Sequence, residues 1–392
     1  MLRYEMRIII IRASVNAYAS PPMERFFIPR FLFLLIFCLT VPAWGDLPDS
    51  RHGSLETLPP PFTLEGGTTL VAQQGNRADL DASWSASLDL VLTWPAAGGN
   101  WTLYLEGSTT PAAGALATEI GEVNADLGSA LGPGGRGRLQ LSVLHYAHPL
   151  AGGVITLGLL DPAGFLDRSE VAGDETRQFL AAPLVNDAAI AMPSYHLGAA
   201  WHLDAQPHRP GLTLILGGSH GLAEVDGRYG ELFDFTAPDK GLFAAAELYG
   251  PWRSGFWRLG AWHNGARQPR LDGAGRKSNQ GAYLLVDGTR GAWGWNLRLG
   301  LADQQVAEVA RFAALAVTRS AGALTAGLGL AWRGAAPDLP DAADGWHAEC
   351  WVRFEPRPGL EITPDLQWLR HPGLAGGAPD LWVGGVRVTW TF

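Results

Sequence analysis

The chain ends on an alternation: Val386, Val388, Trp390 and Phe392 share one parity, and Arg387, Thr389 and Thr391 the other. A period of two suits a β-strand, because successive side chains point to opposite faces. Residues 83–94 repeat the pattern, with Trp84, Ala86, Leu88, Leu90, Leu92 and Trp94 opposing a face of mostly Ser and Asp. Pro95-Ala-Ala-Gly-Gly-Asn100 then turns the chain into 101–106, where Trp101, Leu103 and Leu105 continue the apolar face. That is strand, tight turn, strand.

The rhythm returns over 139–146, 153–159, 196–203, 212–218, 242–249, 256–264, 281–286, 292–301, 311–318, 324–333, 346–355, 360–369 and 381–392. With a weaker segment at 63–73 the total is about sixteen strands, near the size at which a barrel encloses an aqueous channel. The clearest segments are late. Trp293, Trp295, Leu297, Leu299 and Leu301 oppose Gly294, Asn296, Arg298 and Gly300; Trp346, Ala348, Cys350, Val352 and Phe354 oppose His347, Glu349, Trp351, Arg353 and Glu355. Charges gathered on one face are costly against lipid and acceptable against water. The expected architecture is all-β: a transmembrane antiparallel β-barrel over 62–392, apolar toward lipid and polar toward a channel. Every backbone donor and acceptor of a closed barrel pairs with a neighbour, so such strands can cross lipid.

The other end supports an exported chain. An apolar core at 31–41 follows Arg25 and Arg30 and precedes Ala43-Trp44-Gly45. That is a signal peptide's layout, too short for the usual spanning helix. Cleavage after Gly45 is the preferred reading, and a retained anchor the alternative. A second apolar run at 8–11 makes the upstream stretch an extension, so Met1 or Met23 is the start; 46–61 is left as a short periplasmic segment.

Removing residues 1–45 takes away five Arg and two acidic residues, moving the formal charge from −9 to −12. No Lys/Arg run or basic domain speaks for nucleic acid. Cys38 leaves with the signal, so Cys350 has no disulfide partner. After the signal no apolar run is long enough for a helical span. The fifty Gly suit turns and coiled strands better than helices. Gly132-Pro-Gly-Gly-Arg-Gly137 and 265–279 read as turn or loop, and neither carries the Gly-Lys-Ser/Thr of a phosphate loop.

Residues 160–185 interrupt the strands with Asp161-Pro-Ala-Gly-Phe-Leu-Asp167, further acids, then Gln178-Phe179-Leu180. The segment is an internal or extracellular constriction loop, and inward folding is favoured because long loops are often functional. Its candidate constriction residues are Asp161, Phe165, Asp167, Gln178 and Phe179. Catalytic signals are poor. His145, His148 and Asp161 lack a metal-site spacing, and Ser194 and Ser219-His220 lack a nucleophile setting. No enzyme activity, metal or cofactor is expected.

The stretch Leu360-Glu-Ile-Thr-Pro-Asp-Leu-Gln-Trp-Leu-Arg-His-Pro-Gly373, with the closing Val383-Gly-Gly-Val-Arg-Val-Thr-Trp-Thr-Phe392, resembles the carboxyl end of the OprB-type carbohydrate-selective porins. There the pattern is Thr-Pro-Asp-Leu-Gln-aromatic, a polar residue and Pro in the turn, then a Gly-X-Arg strand ending in Phe; His371-Pro372 stands where Asn-Pro is usual. Gly158-Leu-Leu-Asp161 through Phe165-Leu-Asp167, Gln178-Phe179-Leu180, Asn186 and Pro193 form a looser second match. The resemblance implies passive sugar diffusion across the outer membrane, as a monomer or homotrimer. Its implied partners are carbohydrates, outer-membrane lipid and lipopolysaccharide, and the barrel-assembly machinery acting through the Phe392 strand.

A selective sugar passage needs fixed donors, acceptors and an aromatic surface that bind weakly enough to release. By parity Asn296, Arg298, Glu349, Trp351, Arg353, Asp365, Gln367 and Arg387 face inward as channel-lining candidates. Trp351 is the preferred stacking surface, since Trp84, Trp94, Trp293 and Trp390 have outward parity. The plainer reading is that inward Arg and acid pair across strands and stiffen the wall. Beside the sugar channel stand two alternatives: a plugged barrel with a structural or polysaccharide-export role, and an outer-membrane hydrolase.

Overall fold

Each strand of the computed structural model hydrogen-bonds to the next in sequence, and the last returns to the first. Residues 62–127, 131, 135–237 and 239–392 are described. The expected signal peptide and N-terminal segment, 1–61, lie outside them. Among the described residues the strands are β1 (Thr63–Gly75), β2 (Ser83–Ala96), β3 (Gly99–Ser108), β4 (Leu139–Leu150), β5 (Gly153–Leu160), β6 (His196–Leu203), β7 (Gly211–Gly218) and β8 (Leu242–Trp252). They continue as β9 (Gly255–Pro269), β10 (Arg276–Arg290), β11 (Trp293–Ala302), β12 (Val309–Ala321), β13 (Leu324–Ala335), β14 (Gly345–Arg357), β15 (Leu360–Arg370) and β16 (Leu381–Thr391). All neighbours are antiparallel, and β1 meets β16 from Gly67↔Thr391 to Gly75↔Val383. Gly66 and Phe392 exchange backbone bonds of 3.2 and 3.0 Å at the seam. Closure leaves no edge strand, so the barrel suits a hydrocarbon surround. The chain is a multi-pass outer-membrane protein.

Accessibility is inverted relative to a water-soluble domain. Trp84, Leu139 and Leu328 are 73%, 67% and 63% exposed, while Glu247, Arg298 and Gln367 are at 0%. The strand parities expected from the alternation place these apolar residues outward and these polar ones inward. The two ends of the barrel differ as well. β2–β3 and β4–β5 are joined by Ala97-Gly98 and Ala151-Gly152, in which both residues have positive φ. This is the two-residue turn whose twist matches the flanking strands. The longest connections, 109–138, 161–195 and 219–241, all lie at the opposite end. Short turns mark the periplasmic end and long loops the extracellular end.

Two expectations are corrected. Residues 265–279 are mostly paired: β9 runs to Pro269 and β10 starts at Arg276, leaving 270–275 as the connection. This hairpin stands above the apolar belt, so both faces are polar and the alternation disappears while the ladder persists. Nor is the inward face uniformly polar. Ile215, Phe243, Trp262, Tyr283, Leu285 and Phe312 point into the barrel and are buried, because loops bring their own apolar side chains into the lumen and require an apolar seat.

Candidate channel constriction

The β5–β6 connection starts at Leu160, which is fully buried with Leu166 among Ile215, Phe243, Trp262 and Tyr283. The loop therefore enters the lumen at its first residues. Asp161 accepts from Ala163 N at 3.0 Å and caps a 3-10 turn over Pro162–Gly164; Phe165 packs against the same cluster. A second apolar seat receives the far half. Phe179, Ala181, Leu184 and Val185 pack on Phe312, Ala314, Ala316 and Ala331. Gly329 makes room there, since a Cβ at that position would sit 2.6 Å from Leu184 and 2.8 Å from Phe179.

Between the two seats, charged wall residues take hold of loop backbone. Arg298 on β11 donates from Nε to both Asp167 oxygens at 2.9 and 3.1 Å, from Nη2 to Asp167 O at 3.2 Å and from Nη1 to Leu184 O at 3.0 Å. Asp167 N in turn donates to Glu247 Oε2 at 3.0 Å, a carboxylate that also receives Tyr283 Oη at 2.6 Å and Arg258 Nη1 at 3.1 Å. Asp167 has φ 53°, and its Oδ2 accepts from Asp187 N at 2.8 Å. Glu349 on β14 accepts from Leu180 N at 2.9 and 3.0 Å and from Ala181 N at 2.7 Å. Arg387 on β16 donates to Gln178 O at 2.7 Å and to Glu175 O. Asn296 donates to Ser169 Oγ at 3.0 Å. Gln178 folds its side chain back onto Gly173 N and Glu170 O, at 2.7 and 2.8 Å.

The parity-selected residues are thus brought together, chiefly as anchors beneath the loop. Arg298, Glu349, Gln367 and Asn296 are no more than 1% exposed, and Arg387 and Asp365 are 2% and 6%. Asp365 accepts from Gln367 Nε2 at 3.0 Å, with its other oxygen over the bare backbone of Gly385. The expected stacking role of Trp351 is corrected: the ring is 3% exposed, edge-on to Phe179 at 5.7 Å and lying over Gly327. Arg353 is the candidate left half-exposed, donating to Arg177 O at 2.8 Å with Nε 3.7 Å from Glu361. Arg177 reaches the same Glu361 from the loop.

The 109–138 connection also enters the barrel over its described residues 116–127, a course that its sequence does not signal. Val123 O receives Gln73 Nε2 at 2.8 Å and Gln367 Nε2 at 3.0 Å. Asn124 donates to Ser85 Oγ at 3.1 Å, and Ser87 Oγ donates to Asp126 at 2.8 Å. Its apolar residues Leu116, Val123 and Leu127 cover Leu369, Leu381 and Val383. The two loops join where Ala125 N donates to Leu180 O at 2.9 Å. Inward Gln and Ser were readable by parity on β1 and β2; the loop they hold carries no charge run or strand-like pattern to announce it.

Beside the joined loops lies an opening of about 640 Å³, lined by Asp161, Asp167, Arg168, Ser169, Glu175, Asn186, Asp187, Ser194 and Tyr195 among others. Acids outnumber cations there. Burial pushes the Asp187 carboxyl up to about 7, with the Asp167 charge adding to the effect while Ala189 N and Arg298 oppose it. Asp167 is itself raised by burial, against the pull of Arg298. Asp126, on the other loop, is pushed up to about 7 by burial, with Asp89 and Glu106 adding, and Ser87 and Arg387 opposing.

The fold is shared with solved porins. Pseudomonas putida OprB, in a high-pH structure, superposes with a TM-score of 0.67 at 12% identity, covering 84% of this chain and 94% of that one. A mutant Rhodopseudomonas blastica porin gives 0.53 at 14% identity, over 84% and 100% of the two chains. The anion-selective porin from Comamonas acidovorans gives 0.51 at 11%, over 84% and 99%. An uncharacterized protein of Aquifex aeolicus is 33% identical over 82 residues, 21% of this chain and 26% of that protein. The model of the carbohydrate-selective porin OprB family matches residues 93–392, in agreement with a closed sixteen-stranded barrel narrowed from within. The chain is an outer-membrane channel protein and belongs to the OprB family of porins.

Proposed function

We propose that this channel carries neutral carbohydrates, monosaccharides or short oligosaccharides, by passive diffusion and in preference to anions. The observation that carries the reading is the lining of the opening beside the loops. Carboxylates at Asp161, Asp167, Glu175 and Asp187, an amide at Asn186, a hydroxyl at Ser194 and the ring of Tyr195 surround it with Arg168 as the cation. Sugar hydroxyls donate to carboxyl oxygens and accept from amide, hydroxyl and guanidinium groups, and burial raises Asp187 to about 7 and Glu175 to about 8, so the lining turns net acidic and repels anions as pH rises past those values. Arg353, Arg177 and Glu361 offer mixed donors and acceptors on the wall side of the loop. Sites of this kind favour entry without holding the solute tightly.

The test is solute flux into liposomes bearing the purified protein, with glucose, maltodextrins and a sugar acid of matched size. Glucose and maltose are expected to enter faster than the acid. Equal or faster entry of the acid defeats the proposal. Above pH 8, past the values of about 6 and about 8 to which burial raises Asp161 and Glu175, Asp161→Asn and Glu175→Gln are expected to narrow the difference between glucose and the acid, with barrel assembly retained.

A further inference from the structure

The barrel wall has a notch near its extracellular end. β4 and β5 share their uppermost rung at Leu144↔Leu159, yet β4 reaches up to Leu139. β5 turns into the lumen after Leu160, and β6 returns from it at His196. Among the described residues, 139–143 therefore have β3 on one side and no strand on the other. Leu139 and Leu242, at the tops of β4 and β8, are exposed on the outer surface. The notch thus opens at the level of the apolar belt, and the 219–241 connection fills it.

Leu222, Val225 and Leu232 of this connection pack on Val143, Leu159 and Tyr195. Leu141 donates its N–H to Tyr229 Oη and accepts that hydroxyl's proton on its carbonyl, both at 3.0 Å. One side chain thus gives β4 the two bonds that a neighbouring strand would supply. Tyr195 also lines the opening of about 640 Å³ beside the joined loops, so a layer of apolar side chains stands between that opening and lipid.

The connection is tied mainly to itself. Its ion pairs, Arg228 with Glu231 and Lys240 with Glu231 and Asp234, close within it. Among the described residues, its hydrogen bonds to the rest of the chain lie at two places. Near its start Leu222 N donates to Ser194 O and Tyr195 O at 2.6 and 3.1 Å, and Glu224 accepts from Ser194 N at 3.4 Å. Gly221 permits this crossing, since a Cβ there would overlap Ser194 O. At the far side stands Tyr229 alone. The seat beneath is a poor one: Gly227, at φ 71°, lies against Arg138, whose Nε and Nη2 are buried without a hydrogen-bond partner. Buried donors left unmatched raise the energy of the closed arrangement and favour release.

We propose that residues 219–241 are a strap across a side window of the barrel, hinged at Gly221 and Leu222 and latched by Tyr229, and that its release joins the lumen to the outer leaflet. Such segments pivot on a few terminal residues while their body stays intact. A solute carrying an apolar group then has a sideways path between the polar opening and lipid, past Val143 and Leu159. The path is separate from the axial one, so glucose flux neither supports nor removes it.

The test places a thiol beneath the strap. The full chain carries Val143→Cys together with Cys350→Ser, which removes the exposed native thiol, and is reconstituted in liposomes. Labelling rates are measured with an alkyl maleimide dissolved in the bilayer and with a sulfonated maleimide in water. Adding Tyr229→Phe removes the latch hydroxyl and keeps the ring. The bilayer reagent, itself an apolar solute on this path, is expected to label at least tenfold faster. An unchanged rate overturns the proposal. So does a rise confined to the water-borne reagent, which means a segment lifting into water with no path to lipid. Should Val143→Cys not assemble, Leu159→Cys under the same strap carries the measurement, with the same outcomes deciding.

Discussion

The two loops that fill this barrel are held by different chemistry. The 161–195 loop is gripped by acidic and basic side chains, with Arg298 on Asp167, Glu349 on two backbone amides and Arg387 on two carbonyls. The 109–138 loop is held mostly by neutral amides and hydroxyls, from Gln73, Gln367, Ser85 and Ser87. Hydrogen bonds to charged groups contribute roughly 1.5–3 kcal/mol, and neutral ones roughly 0.5–1.5. A buried ion also becomes a large liability once its partner is removed. The first loop is thus specified sharply by a few residues, the second diffusely by many.

The largest effect that would expose this difference is expected from Arg298→Ala. It leaves Asp167 buried without its cation and strips two loop carbonyls of their donor, the kind of break that costs about 3–5 kcal/mol. Single-channel conductance should rise and protease cleavage within 161–195 appear, while the barrel keeps its heat-dependent migration in detergent electrophoresis. Conductance unchanged from wild type would show that the apolar seats hold the loop alone. Glu349→Gln should act in the same direction by about 1–3 kcal/mol, since one of the carboxylate's two accepting oxygens is replaced by a donor that faces N–H groups. Hydrogen exchange at Leu180 and Ala181 reports that loss.

How far each loop was legible follows from the same contrast. Strand parity was readable because a one-residue slip would exchange lipid-facing and lumen-facing side chains, so Arg298, Glu349 and Arg387 could be placed inward from spacing alone. Their partners could not. Alternation says which way a side chain points and nothing about what is folded against it: Trp351 has the inward parity of a stacking surface, yet it is the floor under Phe179. The 161–195 loop announced itself through acidic residues breaking a strand rhythm. The 109–138 loop, rich in Ala, Gly and Leu, resembles an ordinary surface connection, and its role depends on long-range partners such as Gln367.

Acidity offers a comparison that both loops share. Asp187 and Asp126 are each pushed up to about 7, well above an ordinary carboxylate. A raised acid favours the docked loop in its protonated form. That contribution is complete below the ordinary value near 4 and is lost as pH rises through about 7. Both loops should therefore loosen between pH 6 and pH 8, seen as rising conductance and faster hydrogen exchange at 124–127 and 186–189. Asp187→Asn should remove the pH dependence of the second segment and leave that of the first. A response that survives in both segments would place the titration elsewhere.

The smallest effects belong to the neutral clamp on Val123. Gln73 and Gln367 both donate to the same carbonyl, at 2.8 and 3.0 Å. Either donor alone can satisfy it, so Gln73→Ala and Gln367→Ala should each cost about 1 kcal/mol or less at this carbonyl. The double variant leaves a buried carbonyl unpaired, and its cost should exceed the sum of the singles, as expected for side chains that share a partner. Gln367 also touches His347 and Asp365, each at 3.0 Å, so its single variant should be the worse of the two. Hydrogen exchange over 121–127 in the four proteins of this cycle measures the coupling. Strict additivity would mean that the second loop rests on its apolar contacts with Leu369, Leu381 and Val383, and that its polar bonds serve only to avoid a penalty.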